Sequence, residues 1–426
     1  MKILKLNNLR GEIKIPGDKS ISHRSVIFSS LGNSTVEIEN FLHGADCLST
    51  VECMKSFGVD VKIDGEKIFV TGNGLSGLRE PENILDAGNS GTTLRLLLGL
   101  AAPQNFVTTF TGDGSLRQRP MGRVIKPLTE MGASIVGRNE NKNLPITVIG
   151  RKNLRGITYE MPVASAQVKS AIILAGLYAD GMTTIIEPAP SRDHTEKMLS
   201  AFGARIEKFG NAIKIYPAEN LTAPEKIIVS NDISSAAYWV VLAAIIKNSA
   251  VTIKNVGVNQ TRTGILDVMK MMGATIELEN LRESGGELSA DIKIFSSNLR
   301  GVEIGGSMIP RLIDEIPALA VAAAFAEGTT IIHDVGELRV KESDRLNAIV
   351  NEFNKISPRS FEATQTDLII HGGQEKFFAE CKTYADHRIA MALSIFGAAA
   401  EGVEIDNADC VKISYPNFFE VLKWEK

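Results

Sequence analysis

Two helical patterns take turns along this chain. One is apolar on nearly every face: ISHRSVIFSSL, NSGTTLRLLLGLAA, SAQVKSAIILAGLYA, NDISSAAYWVVLAAII, DEIPALAVAAAFA and DHRIAMALSIFGAAA. A helix without a polar face has to be buried on all sides. The other is amphipathic, with apolar residues at helical spacing, as in CLSTVECMKS, GRVIKPLTE, TEKMLSA and GILDVMKM. Each of these runs into a short signature: FGVDVK from Phe57, MGASIV from Met131, FGARIE from Phe202 and MGATIE from Met272. The copies recur about every 70 residues. Glycine in that signature accepts the left-handed conformation that stops a helix, and the alternation after it predicts a strand. RLNAIVNEFNKI from Arg345 reads as a fifth copy with Asn354 in the place of glycine, and FFEVLKW as a truncated sixth. Between the two helices recurs a strand with a small or polar lead-in, as in GNSTVEIENF, GMTTIIEPAP, NSAVTIKNVG, EGTTIIHDVG and EGVEIDNADC.

These patterns predict an α/β (α+β) protein of six repeated units, three per lobe, with the inner helices buried and the sheets outside. The lobe boundary falls near Pro224–Val229. Composition fits a large core, with 44% hydrophobic and 23% charged residues among 426. A net charge of -4 argues against a general polyanion binder while allowing a local basic cleft. Cys47, Cys53, Cys381 and Cys410 form no CxxC pair, which predicts a reducing compartment. The longest apolar run, Ala236–Ile246, is short of the ~20 residues that span a bilayer. The N-terminus carries no signal-like segment. A cytoplasmic protein is expected.

Candidate chemistry sits where the inner helices begin. The openings are Lys19-Ser20 with Arg24, Asn89-Ser90-Gly91-Thr92, Ser165-Ala166-Gln167, Asn231-Asp232-Ile233-Ser234, Asp314-Glu315 and Asp386-His387-Arg388. Capping explains the Ser, Asn, Asp and Thr residues. It does not explain Lys19, Arg24 and Arg388, because cations in a first turn oppose the helix dipole. Free N–H groups beside cations make an anion site. The loops entering the outer helices add Arg117, Arg119, Arg192, Arg262, Arg339, Lys341, Glu342 and Arg345. Basic residues at equivalent places of a repeat imply a small, multiply anionic ligand. GNGLSG at Gly72–Gly77 matches a dinucleotide fingerprint in letters only, since Pro81 follows it, and reads as a turn. No HxxxH spacing suggests a metal. Met269, Met271 and Met272 read as core filler.

Eight segments, in order along the chain, resemble the enolpyruvyl transferase family: GDKSISHR (17–24), GNSGTTLRLL (88–97), LRQRPMGR (116–123), SAQVKSA (165–171), SRDHTEKM (191–198), DEIPALA (314–320), RVKESDRL (339–346) and DHRIAM (386–391). The resemblance implies a two-lobed fold of βαβαββ-type units with two crossovers. One lobe would be 14–226, the other 1–13 with 227–426, and the active site would lie in the cleft between them. It implies transfer of the enolpyruvyl group of phosphoenolpyruvate to the 5-hydroxyl of shikimate 3-phosphate, in the pathway to chorismate and the aromatic amino acids, by the enzyme that glyphosate targets. No metal or cofactor would be needed.

Carried over residue by residue, the resemblance gives Ser20 and Arg24 the shikimate carboxylate. Ser165, Ala166, Arg192 and Lys341 would take the 3-phosphate, with Gln167 against the ring. Lys19, Arg119, Arg345 and Arg388 would clamp phosphoenolpyruvate, with Gly91 and Thr92 allowing close backbone approach. Asp314 would be the base for the 5-hydroxyl, and Glu342 with Lys19 would handle the methylene proton. Relatives of one class carry Lys before the S/T-[FY]-P motif; here Ile413 precedes Ser414-Tyr415-Pro416 and Lys412 is one place off. Two other readings share these motifs. One is the transferase acting on UDP-N-acetylglucosamine, which usually has a reactive Cys where this chain has Gly114. The other is a non-catalytic anion-binding protein. The expected partners are the two small substrates alone, with no nucleic acid and no membrane, and the expected state is a monomer whose lobes close on the ligand.

Overall fold

The computed structural model describes residues 1–423. The closing Trp424 of FFEVLKW, and with it 424–426 of the expected second lobe, lies outside the described residues. All six apolar stretches are helices: Lys19–Leu31, Gly91–Ala101, Ala166–Gly176, Ile233–Ile245, Ile316–Phe325 and His387–Ala399. Burial is nearly complete along them; every residue of the fourth from Ile233 to Ala244 is buried. Small residues let these helices close on one another. A Cβ on Gly99 of the second would stand 2.2 Å from the carbonyl oxygen of Ala171 in the third.

Each unit has its own small sheet, five of four strands and the last of three. In the second, third, fifth and sixth units the strand ahead of the inner helix pairs in parallel with the strand behind it. Units one and four exchange that strand. Thr35–Glu39, after the first inner helix, pairs with Lys226–Ile228, whereas Arg10–Ile13 pairs with Ala250–Gly257, after the fourth. The exchange fixes where the chain crosses over. One compact lobe comprises Gly17–Ser230 with Glu283–Glu287, and the other Met1–Pro16, Asn231–Arg282 and the chain from Leu288 onward. We call them the N-terminal and C-terminal lobes; each encloses one continuous apolar core. Among the described residues the sixth unit has no closing hairpin, and its sheet is completed by Lys2–Ile3, antiparallel to Val403–Ile405.

Four outer helices stop as the signature requires, with Gly58, Gly132, Gly203 and Gly273 at φ of 84, 103, 86 and 98°. The fifth does not. Asn354 has φ -65° and continues the helix, which carries a π turn over Ile349–Phe353. Its left-handed residue is Arg359, at φ 62°. Asn354 instead ties the helix to the next strand, donating to Phe361 O at 2.7 Å and accepting from Phe361 N at 3.0 Å. The methionine expectation also needs correcting. Met269 and Met272 are buried, but Met271 is 54% exposed because it falls on the outer face of Gly264–Met271. GNGLSG follows the strand Lys67–Thr71 as a loop, with Gly74 at φ 75°.

Candidate active-site residues in the two lobes

In the N-terminal lobe the starts of three inner helices are wired together. Asp18 caps the first by accepting from Ile21 N at 2.9 Å. Lys19 Nζ meets Asp46 Oδ2 at 2.5 Å. His23, buried, bonds through Nδ1 to Thr50 Oγ1 at 2.7 Å, and Thr50 in turn to Thr93 at 2.6 Å. Thr93 donates to Ser90 Oγ at 2.7 Å, and Ser90 caps the second inner helix. Arg24 lies inside this frame. Its Nε donates to Thr195 Oγ1 at 2.8 Å, Nη1 to Ser20 O at 3.0 Å and Nη2 to Ser170 Oγ at 2.9 Å. Burial, aided by Arg192 and opposed by Glu196 and Asp18, brings Arg24 down to about 10, so it stays charged at neutral pH.

A second cationic group surrounds Gly91. Arg119 Nη2 donates to Asn89 Oδ1 at 2.7 Å, and Nη1 to Asn89 O at 3.3 Å. Arg95 folds back along its own helix until Nη1 would stand 2.6 Å from a Cβ on Gly91. The same nitrogen donates to Gln167 Oε1, and Gln167 Nε2 donates to Thr92 Oγ1 at 2.9 Å. Burial, then Arg119 and Arg123, lowers Arg95 to about 10. Ser165 caps the third inner helix, accepting from Val168 N at 3.5 Å, and leaves Ala166 in the first turn. Beneath it, Lys169 is buried between Glu187 at 3.0 Å and Glu196 at 2.7 Å, and it donates to Ser191 O at 3.3 Å. That anchors the turn carrying the half-buried Arg192.

The C-terminal lobe is built from carboxylates and guanidiniums together. The fifth inner helix is preceded by Glu315, whose side chain does not cap it, and Asp314 lies one residue further out. Arg345 Nη1 donates to Asp314 Oδ1 at 3.4 Å. Its Nε and Nη2 grip Asp386 at 2.8 and 3.3 Å, and Nη2 also donates to Glu342. Asp386 caps the sixth inner helix, accepting from Arg388 N at 2.9 Å. Arg388 Nη1 donates to Asp314 O at 3.1 Å, and its Nη2 lies 3.9 Å from Asp314 Oδ2. Lys341 pairs locally with Glu337 at 2.6 Å, and the exposed Lys412 with Asp409 at 2.7 Å.

Electrostatics follow from this packing. Withdrawal from water pushes the Glu342 carboxyl up, but Arg345, His387 and Arg388 outweigh it and hold the group well below the usual carboxylate range. Arg345 is held above its ordinary value although burial works against it, by Glu342, Asp386 and Asp314. Arg388 rises too, with Asp314, Tyr238 and Glu315 overcoming burial. His387 is brought down to about 3, by burial first and then Arg388, so it is neutral at pH 7.

Of the residues expected from the sequence, the N-terminal lobe gathers Lys19, Ser20, Arg24, Gly91, Thr92, Arg119, Ser165, Ala166, Gln167 and Arg192, and the C-terminal lobe Asp314, Lys341, Glu342, Arg345 and Arg388. Sequence reasoning missed Asp46, Arg95 and Asp386 as members. Asp46 and Asp386 read as helix-start acids, and only an unpaired cation opposite, Lys19 or Arg345, could have flagged them. Arg95 sits among leucines, and a lone cation in an apolar helix was the available signal.

A family model described as EPSP synthase (3-phosphoshikimate 1-carboxyvinyltransferase) matches residues 3–422. A curated 3-phosphoshikimate 1-carboxyvinyltransferase from Thermoanaerobacter sp. (strain X514) is 55% identical over 423 residues, 99% of each chain. One from Desulforamulus reducens is 51% identical over 420 residues, covering 98% of this chain and 97% of that one. The solved EPSP synthase of Acinetobacter baumannii superposes with TM-score 0.90 at 41% identity, covering 99% of this chain and 96% of that one. The enolpyruvyl transferase NikO from Streptomyces tendae shares the fold, with TM-score 0.80 at 17% identity over 99% of this chain and 96% of its own. These matches do not favour the sugar-nucleotide alternative. The repeat, the helix-start cations and the full-length matches agree: this chain belongs to the EPSP synthase (3-phosphoshikimate 1-carboxyvinyltransferase) family.

Proposed function

We propose that the two groups of residues serve one reaction, the N-terminal lobe chiefly holding anions and the C-terminal lobe moving protons. The reaction is the family's: the enolpyruvyl group passes from phosphoenolpyruvate to the 5-hydroxyl of shikimate 3-phosphate, and phosphate leaves. In this reading Ser20 and Arg24 hold the shikimate carboxylate. Ser165, the Ala166 N–H, Arg192 and Lys341 take the 3-phosphate, and Gln167 lies against the ring. Lys19, Arg119, Arg345 and Arg388 clamp phosphoenolpyruvate, with Gly91 and Thr92 leaving its phosphate room at a helix N-terminus. The protein acts as a cytoplasmic monomer on these two small molecules.

The observation that carries the reading is that Asp314 and Glu342 share one guanidinium, Arg345. Addition needs one group to take a proton from the 5-oxygen as it bonds to C2, while C3 gains a proton. Elimination removes that C3 proton, breaks the C2–O bond to phosphate and restores the double bond. Asp314 is the base for the 5-hydroxyl. Glu342 enters as a carboxylate because of Arg345. When phosphoenolpyruvate engages Arg345 and Arg388, their field on Glu342 is shared with the ligand, and its proton affinity rises toward what a donor at C3 needs. Lys19 works with it at the same carbon. Each such group typically contributes ~10²–10⁴-fold in rate.

Phosphate release is to be measured with and without shikimate 3-phosphate, for the native protein and for Asp314→Ala. The expected outcome is release that depends on both substrates, and a variant that binds shikimate 3-phosphate by calorimetry but turns over about 10²–10⁴-fold more slowly. Wild-type turnover in the variant would remove Asp314 from the mechanism. Release without shikimate 3-phosphate would sink the acceptor assignment.

A further inference from the structure

Beside Asp314 is a second carboxylate that the reaction as written does not use. Glu315 is buried, and its Oε1 accepts a hydrogen bond from the Ser234 hydroxyl. The same oxygen lies 3.9 Å from Arg262 Nη2 and 3.8 Å from Arg388 Nη1. Its Oε2 is buried with no hydrogen-bond partner among the described residues. A carboxylate kept only for stability would be expected to have both oxygens satisfied, because the unpaired half is costly and an apolar or amide replacement would cost less. Glu315 is half satisfied and set between two guanidiniums.

Its neighbours hold it there. Arg262 Nη2 donates to Ser234 Oγ at 2.7 Å and to Asp232 Oδ1 at 3.2 Å. Asp232 in turn accepts from Ser234 N at 2.8 Å as the cap of the fourth inner helix. Glu315 is thus fixed from the fourth helix, and what it faces on the sixth is Arg388. That guanidinium has one other anionic attractor, the Asp314 carboxylate, whose Oδ2 is 3.9 Å from Nη2, while its Nη1 donates to the Asp314 backbone carbonyl at 3.1 Å. Attraction rises as the inverse of distance. Without a counter-pull, Arg388 would close onto the Asp314 carboxylate as a contact pair.

We propose that Glu315 is a positioning residue that holds Arg388 away from the Asp314 carboxylate, keeping the guanidinium available to phosphoenolpyruvate and the carboxylate to the 5-hydroxyl. The inference rests on the roles proposed above for Arg388 and Asp314. Loss of the counter-pull acts on the phosphoenolpyruvate side and on the base together. The residues assigned to shikimate 3-phosphate are not in this chain of contacts.

The test is steady-state kinetics on Glu315→Gln, with Ser234→Ala as the milder variant, since it removes the anchoring bond and keeps the charge. For Glu315→Gln the expected result is a KM for phosphoenolpyruvate raised about tenfold or more, a lower kcat, and a KM for shikimate 3-phosphate within about twofold of native. Ser234→Ala should move the same parameters in the same direction by about threefold. Unchanged constants in Glu315→Gln overturn the proposal, as does a parallel rise in both KM values with a lowered Tm, which is what a purely structural role predicts. Should Glu315→Gln not fold, an unchanged phosphoenolpyruvate KM in Ser234→Ala overturns it. Asp314→Ala separates the two failures. If that variant is inactive while Glu315→Gln behaves as native, only this inference falls; if Asp314→Ala is fully active, the assignment of the base falls with it.

Discussion

The two lobes use one scaffold three times each, but their arginines keep different company. In the N-terminal lobe Arg24, Arg95 and Arg119 direct their hydrogen bonds to hydroxyls, side-chain amides and carbonyl oxygens. In the C-terminal lobe Arg262, Arg345 and Arg388 meet Asp232, Glu315, Asp386, Glu342 and Asp314. Charge states follow. Burial and like charges take Arg24 and Arg95 down to about 10, whereas Arg345 and Arg388 rise above the ordinary value. A buried guanidinium surrounded by neutral oxygens is incomplete until an anion arrives. One surrounded by carboxylates is already neutralised, and an arriving anion competes with those carboxylates. Under the roles proposed above, the first arrangement would bind anions and the second would let binding change the proton affinity of its acids. Equal scaffolds therefore carry unequal electrostatics.

The largest test of this contrast removes one arginine from each lobe. Arg345→Met leaves Asp314, Glu342 and Asp386 without their shared cation, and breaking a buried pair in this way costs about 3–5 kcal/mol. Arg24→Met removes a cation whose hydrogen-bond partners are neutral, with Glu196 and Asp18 acting on it only through their field, and Ser170 and Thr195 already bond to each other at 2.6 Å. Its stability should change by about 1 kcal/mol or less, while affinity for shikimate 3-phosphate collapses. Urea unfolding of both variants at pH 7 decides the matter. Equal losses would break the comparison.

Acid should separate the lobes by a smaller margin. His387, held at about 3, and His23, pushed well below its ordinary value by burial and then by Lys19 and Arg24, are both neutral in the folded protein. The unfolded chain protonates them near 6.5, so both lobes lose stability as pH falls below that value, by at most about 1.4 kcal/mol per pH unit for each histidine. The carboxylates then part company. Asp386 and Glu342 are depressed, so the stability they contribute is complete above the normal carboxylate pKa and is lost as pH drops through it, below about 4. The contribution of Glu342 is reduced by solvent, since its side chain is 38% exposed. Glu196 in the N-terminal lobe goes the other way: burial raises its pKa despite Lys169, so protonation relieves a cost of the folded state. Hydrogen exchange between pH 5 and 3.5 (about the carboxylate range) should show the C-terminal lobe opening first. Earlier opening of the N-terminal lobe would reverse the argument.

What could be read from sequence divides along the same physical line. The inner helices were legible because a helix apolar all round admits one placement, and the outer helices because amphipathic spacing followed by Gly is both a face and a stop. The cations at helix starts were legible because they contradict the helix dipole. Partners were not. Asp46 opposite Lys19 looks like an ordinary first-turn acid and Asp386 under Arg345 like an ordinary cap, since a favourable interaction with the helix start hides a second role. Nor does local pattern show that Arg10–Ile13 and Lys226–Ile228 trade sheets, because both pairings satisfy the same alternation. The exchange is decided by the cores each strand can reach.

The smallest effect concerns the scaffold on which the contrast rests. Read as a repeat, the fifth outer helix should stop at Asn354, and a glycine there would then be as good as the one in its four counterparts. The structure assigns Asn354 a helical φ of -65° and two hydrogen bonds to Phe361, at 2.7 and 3.0 Å. Glycine in such a position loses those bonds and gains unfolded-chain entropy, each worth about 1 kcal/mol. Asn354→Gly should therefore destabilise by about 1–3 kcal/mol, and Asn354→Ala by less, because alanine keeps the helix. The π turn over Ile349–Phe353 gives this result a meaning beyond bookkeeping. An extra residue wound into a helix shifts everything after it. The left-handed residue falls five positions after Asn354, at Arg359, and Arg345 stands at the start of the helix that carries the π turn. Only the fifth unit, which carries both Asp314 and Glu342, departs from the glycine stop among the first five. If Asn354→Gly is neutral or stabilising in thermal melts, that departure is drift rather than part of how the unit presents its carboxylates.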